Sequence, residues 1–423
     1  MKKEFILKLL NLNNNYNIIE VKEEELMNVN KITLVDIDLK FEKIRKNVIC
    51  PRCGSSKLII HSRDGKRRIL HLIQENGKRV YLNIPKVRFK CKDCNKTFTY
   101  YPDNLHPWMR ISDNLLLSSI YNLRRNSFRE VSKFYGVHIR TLKKYLNKFV
   151  KKTIPWDIFK ETKELRFAID EHSVSGKRKK VVLIVELNTH TPITILKGDK
   201  KEDIINFFNS IPKDLRNKIK EISIDMRESF RRGIIESLGD KVKISVDPFH
   251  LIRDANRRID DERTLIQNTL SFYERRVIKI PKIIFVKGKE RLSDKEKERI
   301  NNYFNEYPSL KELYLIKEKL RDMYLNMKND KRENVEKYLN ELIVYMKNSK
   351  ESLVRVWCKT LIKWRNEILN HFDNLSSTSM VEGYNNVSKL IKRISFGIKD
   401  INIYTLKVFL GIVPFKVLPH ILT

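Results

Sequence analysis

The chain has 423 residues, and its 86 Lys and Arg against 52 Asp and Glu give a formal net charge of +34. With 41% hydrophobic and 33% charged residues it can fill packed cores, which excludes wholesale disorder, and its length suggests about three domains. So large an excess of positive charge points to a polyanionic partner, nucleic acid above all, over the blander reading of a basic surface set by codon bias.

Residues 1–45 are predicted to begin with a short amphipathic helix and to continue as a strand through alternating Ile32, Leu34, Ile37 and Leu39. The opening MKKEFILKLLNLNNN does not read as a signal peptide, because Lys8 interrupts a short apolar run and no small-residue cleavage site follows. A cytoplasmic, nucleoid-associated protein is the expectation. Residues 46–105 alternate strands and turns: KLIIHS, RRILHLI, RVYLNI and VRFKC, with Asp64-Gly65 and Asn76-Gly77 as hairpin turns. Two CxxC pairs bracket them, Cys50 with Cys53 and Cys91 with Cys94. A tight turn at each pair puts two thiolates on one face, and two such turns complete a tetrahedral zinc site. These four cysteines are therefore the predicted ligands of one structural zinc in a zinc ribbon with a long hairpin, a small sheet that gains its folding energy from the metal. The alternatives are free buried thiols or a redox pair. His61 and His71 are surplus to four thiolates, and Cys358 beside Trp357 is expected to be a buried core thiol.

Residues 110–152 are predicted to hold a helix-turn-helix, with two helices around Gly136 and Val131, Val137, Leu142 and Leu146 filling the angle between them. The second helix then presents His138, Arg140, Thr141, Lys143 and Lys144, the donors and cations that a major-groove helix requires. An ordinary helical hairpin with a solvated basic face is the alternative. The neighbouring ribbon and the basic segments Lys66 to Arg68 and Arg124-Arg125 tilt the reading toward DNA.

Residues 163–258 alternate strands and helices. Strands are predicted at Leu165 to Asp170, Lys180 to Leu187, Pro192 to Leu196, Ile222 to Met226 and Val242 to Asp247, with helices at Lys201 to Ser210 and Glu228 to Leu238. If the first and fourth strands lie parallel and adjacent, Asp170 and Asp225 emerge together at the carboxyl edge of the sheet, where ligands gather. Adjacent carboxylates repel, so they draw in a divalent cation or a proton, and Mg keeps open positions for phosphate oxygens. Residues 259–370 read as a Lys-, Glu- and Leu-rich helical block. The candidate third carboxylate is Glu382, on a helix over residues 376–395. Met380, Tyr384, Val387, Ile391 and Ile394 share one face of that helix, and Glu382, Asn386, Lys389 and Arg393 the other. That polar face would aim Glu382 at the metals and Lys389 and Arg393 at DNA phosphates. Taken singly, each acid is as readily a strand-end or helix-surface carboxylate. The apolar stretch from Tyr404 to Leu422 is broken by Lys407, Pro414, Lys416 and Pro419, and no run reaches the roughly 18 apolar residues of a membrane span.

Together and in this order, the two cysteine knuckles, the helix pair, FAIDEHS, SIDMRESF, VDPFHLIRDANRRIDDER and STSMVEGYNNVSKLIKRISFGIKD resemble the ISL3 family of insertion-sequence transposases, across roughly residues 50–409. The resemblance implies an α/β multidomain chain: zinc ribbon (46–105), helix-turn-helix (110–152), an RNase H-like mixed sheet (163–258) interrupted by a large helical insertion (259–370), and a closing helix with C-terminal tail (371–423) returning to the catalytic domain. It implies that Asp170, Asp225 and Glu382 are the DDE metal triad, and that Asp247 and His250 form an Asp-x-x-His element supporting the site. It implies two catalytic Mg ions, with Mn as a substitute, besides the zinc. The implied activity is strand cleavage at terminal inverted repeats followed by transfer of the 3′-hydroxyl into target DNA. Double-stranded DNA is the implied partner, on which the protein assembles as a homodimer or larger, with no membrane involved. The competing function is a catalytically inactive or domesticated DNA-binding regulator.

Overall fold

Period-two alternation of apolar residues draws the first hundred residues into two sheets. The computed structural model of the chain describes all residues except 1–6, 9, 11, 13–14, 27–28, 41–47, 75–76, 102–104, 106–108, 176–178, 272, 275–278, 375–378 and 423. It divides into two units, residues 1–151 with 388–423, and residues 152–387. The predicted N-terminal helix falls largely outside the described residues.

In the first unit, β1 (Tyr16–Leu26) and β2 (Val29–Leu39) form an antiparallel hairpin. The strands β3 (Leu58–Ser62), β4 (Lys66–Ile73), β5 (Arg79–Pro85), β6 (Val87–Cys91) and β7 (Thr97–Tyr100) follow. One sheet has the order β1-β2-β5-β4 and the other β3-β6-β7. The N-terminal segment, read from sequence as separate from the ribbon, thus shares a sheet with it. β2 runs parallel to β5 from Ile32–Arg79 to Asp36–Asn83, and the buried Val35 and Ile37 on one strand and Val80, Leu82 and Ile84 on the other share one hydrophobic cluster. A second correction concerns Asp64-Gly65. β3 pairs with β6 and β4 with β5, so this turn is no hairpin; Gly65, with φ of +71°, redirects the chain from one sheet to the other. β4 and β5 do form a hairpin around Gly77 (φ +82°), whose neighbour Asn76 lies outside the described residues.

Three helices follow, α1 (Asp113–Asn122), α2 (Phe128–Tyr135) and α3 (Ile139–Phe149). Ser127 and Glu130 open α2 with a reciprocal capping box, Ser127 Oγ accepting from the Glu130 N–H at 3.1 Å and Glu130 Oε2 from the Ser127 N–H at 2.8 Å. Gly136 ends α2 in the left-handed region. Val131, Val137, Leu142 and Leu146 are buried, as their spacing predicts.

The second unit is built on β8 (Leu165–Ser175), β9 (Lys179–Glu186), β10 (Thr191–Leu196), β11 (Ile219–Ile224) and β12 (Lys243–Val246), in the order β10-β9-β8-β11-β12. The first three strands form an antiparallel meander, and β11 and β12 run parallel to β8. The unbroken apolar run Val181 to Val185 is buried throughout, as a strand covered on both faces requires. The helices α4 (Lys201–Ser210) and α5 (Glu228–Leu238) carry the crossovers, and Phe207 and Phe208 of α4 pack on Phe167 of β8. After α6 (Pro248–Thr269) the described residues through Asn374 form a succession of helices and no strand. Trp357 is fully buried there, and the Cys358 thiol donates to Ile343 O at 3.5 Å, the buried core thiol expected from sequence.

The long helix α7 (Ser379–Ile394) comes next, then α8 (Ile401–Ile412), nearly all of it buried. The C-terminal tail does not return to the second unit, as expected from sequence, but packs in the first. Lys407 Nζ donates to Leu123 O (2.7 Å) and Asn126 O (2.6 Å), capping the carbonyl end of α1, and Lys151 N donates to Ile421 O (2.9 Å). Among the described residues no helix is long and apolar enough to cross a membrane.

Candidate functional site

The four cysteines of the knuckles converge. Cys50 Sγ lies 3.6 Å from Cys94 Sγ and Cys53 Sγ 3.6 Å from Cys91 Sγ, and all four sulfurs fall within 4.8 Å of one another. Zn–S bonds of about 2.3 Å set a tetrahedral edge of about 3.8 Å, so the set fits one zinc ion. Each knuckle is closed by a residue in the left-handed region just after its second cysteine, Gly54 (φ +72°) and Asn95 (φ +56°). Burial alone would raise the Cys50 thiol; the N–H groups of Arg52 and Cys53 and the neighbouring thiols bring it down, while the same thiols push Cys53 up, as crowded sulfurs sharing protons do.

The second constellation sits on the mixed sheet. Ile169 of β8 pairs in register with Ile224 of β11, and Ile224 with Val246 of β12. The residues that follow, Asp170, Asp225 and Asp247, therefore stand at the same edge of three adjacent parallel strands, whose backbones are spaced about 4.8 Å apart. Asp170 is not the end of its strand, as its sequence position suggests, because β8 continues to Ser175 on its pairing with β9 alone. Asp170, Asp225, His250, Arg253 and Asp254 line one cleft. His250 Nε2 stands 3.3 Å from Asp170 Oδ1 and 3.8 Å from Asp247 Oδ2. Asp247 also caps α6, accepting from the Phe249 N–H at 2.9 Å. Burial works against a charged His250, but the hydrogen bond and charge of Asp170, then the charges of Asp247 and Asp225, outweigh it and raise its pKa. Burial pushes Asp225 up to about 7, with His250 opposing and Asp170 adding to the rise. Asp225 Oδ1 is buried with no hydrogen-bond partner. A buried carboxylate oxygen left bare beside a second carboxylate suits a divalent cation. Next to Asp170 in the chain, Glu171 pairs with Lys180 (2.6 Å) and with Arg227, which also reaches Asp199 at 2.9 Å.

Sequence reasoning missed Asn385, whose Nδ2 donates to Asp170 Oδ2. On α7 the predicted polar residues Glu382, Asn386, Lys389 and Arg393 are all exposed and Ile391 is buried, but the centre of the buried face is shifted. The buried residues are Val381, Asn385, Ser388 and Ile391, whereas Met380 is 37% exposed. Apolar spacing favoured a Met380–Tyr384 stripe; the amide that serves Asp170 turns the helix so that a polar residue faces inward. The adjacent pair Asn385-Asn386 was the available signal. Glu382 is exposed, one helical turn before Asn385. Among the described residues the cysteines alone bring three or more ligand atoms of His, Cys, Asp or Glu within 4.8 Å of one another, so Asp170, Asp225 and Glu382 do not form so tight a set.

Of the residues assigned to DNA, Arg140, Lys144, Lys389 and Arg393 are exposed, and Thr141 and Lys143 half-buried. The exposed His138 caps α3, its Nδ1 accepting from the Arg140 N–H at 3.2 Å. Arg124, read as part of a basic surface, is buried: it donates to Val413 O at 2.7 Å and stacks 4.4 Å from the Phe415 ring. Lys66 and Arg68 are met by Asp36 (3.2 Å) and Glu24 (3.4 Å) of the N-terminal hairpin, which lowers the charge that segment presents.

The sequence is similar to known proteins over both units. The DDE_Tnp_ISL3 family model, described as a transposase, matches residues 167–408. A second, described as the zinc-finger of transposase IS204/IS1001/IS1096/IS1165, matches residues 46–94. The chain is also similar to the transposase for insertion sequence element IS1001 of Bordetella parapertussis, 22% identical over 373 residues that cover 86% of this chain and 88% of that one.

Proposed function

We propose, since the chain belongs to the ISL3 family of insertion-sequence transposases, that it binds the terminal inverted repeats of its own element and carries out Mg-dependent strand cleavage and strand transfer, as a dimer or larger assembly on DNA. The observation that carries this reading is the pairing of Asp170 and Asp225 on adjacent parallel strands, one of them with a bare buried oxygen. The strand order β10-β9-β8-β11-β12, an antiparallel meander extended by two parallel strands, supports an RNase H-like catalytic domain. The helices of residues 248–374, lying between Asp225 and Glu382, support the reading of an insertion. The capped pair α2–α3 with its left-handed Gly136 supports a helix-turn-helix.

Asp170, Asp225 and Glu382 would hold the divalent ions. When bound, these ions activate a water or a 3′-hydroxyl and stabilise the leaving oxygen of a phosphodiester. The chain's own residues do the rest. Asn385 and His250 grip the two oxygens of Asp170 and fix its rotamer. Asp247, 3.8 Å from the same His250 nitrogen, adds its charge, and Arg253, on the cleft wall, lies where it can meet a phosphate. His138, Arg140, Thr141, Lys143 and Lys144 would select the ends, while Lys389, Arg393 and the general positive charge supply a salt-dependent grip.

The test is Mg-dependent nicking, by the full chain, of duplexes carrying the element's own ends, compared with Asp225→Asn. We expect at least a roughly hundredfold loss of cleavage, about 3 kcal/mol of transition-state stabilisation, with end binding retained. Equal cleavage by both proteins removes Asp225 from the site. Tight end binding with no cleavage by either makes the chain a domesticated regulator.

A further inference from the structure

Helix α7 ends in an unusual way. The Phe396 N–H bonds to Arg393 O at 3.1 Å, and Phe396 itself occupies the left-handed region with φ of +51°, followed by Gly397 at +84°. Glycine or asparagine takes such a position without strain, whereas a bulky side chain there is an outlier. The strain is not repaid by packing, because Phe396 is 84% exposed, the most exposed large hydrophobic side chain among the described residues. Strain and exposure in one residue point to a role in binding.

The surroundings say what would bind. Phe396 stands at the rim of a groove of about 660 Å³, formed by the start of α2, the start of α3 and the turn from Ser395 to Asp400. Arg129, Lys143 and Lys399 line it, and none of them forms an ion pair among the described residues. The one acid there, Asp400, is occupied at the start of α8, accepting from the N–H groups of Asn402 (2.8 Å) and Ile403 (3.3 Å). An apolar protein surface laid here would bury three cations without counter-charges. A nucleic-acid strand brings phosphates for the cations and a π-face for the ring. In a duplex those faces are stacked away, so the ring calls for a base that has left its pair.

We propose that Phe396 is a stacking platform for an unpaired base of a single-stranded stretch at the element's end, with Arg129, Lys143 and Lys399 holding the flanking phosphates. This rests on the reading of the chain as a DNA-end-binding transposase and adds to it a contact with an opened strand.

The experiment measures binding of the full chain, without added Mg, to a duplex of the element's end that is either blunt or carries a short single-stranded tail. Phe396→Ala should lose affinity for the tailed duplex by about tenfold or more, the worth of one base–aromatic stack, and bind the blunt duplex as the wild type does. Phe396→Trp should keep the tail preference. Lys399→Ala should instead lower the slope of affinity against salt by about one contact, a change that Phe396→Ala lacks. Unchanged tailed-duplex affinity in Phe396→Ala overturns the proposal. So does an equal loss on blunt and tailed duplexes, which marks a wedge between stacked pairs. If the wild type does not prefer its own ends to an unrelated duplex, the underlying transposase reading fails, and that result is separate because the tail effect is measured at constant duplex sequence.

Discussion

The two constellations differ in how they are assembled. The cysteine set takes its ligands in pairs from two tight turns, which the β3–β6 ladder sets side by side so that four sulfurs fall within 4.8 Å of one another. The acid site takes Asp170 and Asp225 from adjacent parallel strands and relies on a helix more than 150 residues later for Asn385. Its two strand acids are set by sheet register, but the proposed third, Glu382, stands exposed on α7, one turn from the amide that touches Asp170. A turn-built site needs only its turns and the one ladder that joins them; sites shared among several distant elements depend on each contact that docks those elements. Metal affinity and mutational sensitivity should divide the two accordingly.

The largest effect belongs to the ribbon. Metal analysis of the wild type should find roughly one zinc per chain, and Cys91→Ser should abolish it and unfold the β3-β6-β7 sheet, since structural zinc binding carries on the order of 10 kcal/mol of folding energy. A folded variant that still holds zinc would remove the distinction drawn above. A smaller effect is expected from Asn385→Ala. It deprives Asp170 of its amide donor, and losing such an outer partner costs about 10- to 100-fold in metal affinity or activity; titrating cleavage against Mg should show the loss as a raised Mg requirement, with end binding unchanged. The smallest concerns Lys407, which lies in neither site. Lys407→Met leaves the carbonyls of Leu123 and Asn126 without their donor and should cost about 1–3 kcal/mol. Burial, opposed by Glu130, lowers Lys407 to about 8 from 10.5. The folded chain thus binds that proton less tightly than the unfolded one, so wild-type stability gains as pH rises from about 8 toward 10.5. The melting temperature of the Met variant should lack that gain.

What could be read in the sequence follows the same division. The knuckles were legible because CxxC spacing is itself the geometry. Helices Lys201–Ser210 and Glu228–Leu238 stand where their periodicity places them, and the parallel adjacency of the first and fourth strands, posed from sequence only as a condition, is met by β8 and β11. Partners chosen across long distances were not legible. Nothing in Ile32 to Leu39 names β5 as its neighbour, and nothing in Arg124 tells that Val413 O will take it out of solvent. The centre of the inward face of α7 was misread because hydrophobic periodicity cannot register a buried Asn whose value lies in one carboxylate.

The excursion from β3 through β4 and β5 back to β6 leaves one knuckle and returns at the other, with Cys53 and Cys91 38 positions apart. A metal ion across those ends acts as a clasp on a loop whose middle is woven into a different sheet. Opening the clasp would restore the freedom of the whole loop in the unfolded chain, so chelation should loosen the N-terminal hairpin's sheet as well as the ribbon. Lengthening the turn at Gly77, by contrast, changes the closure entropy only logarithmically and would leave the clasp shut.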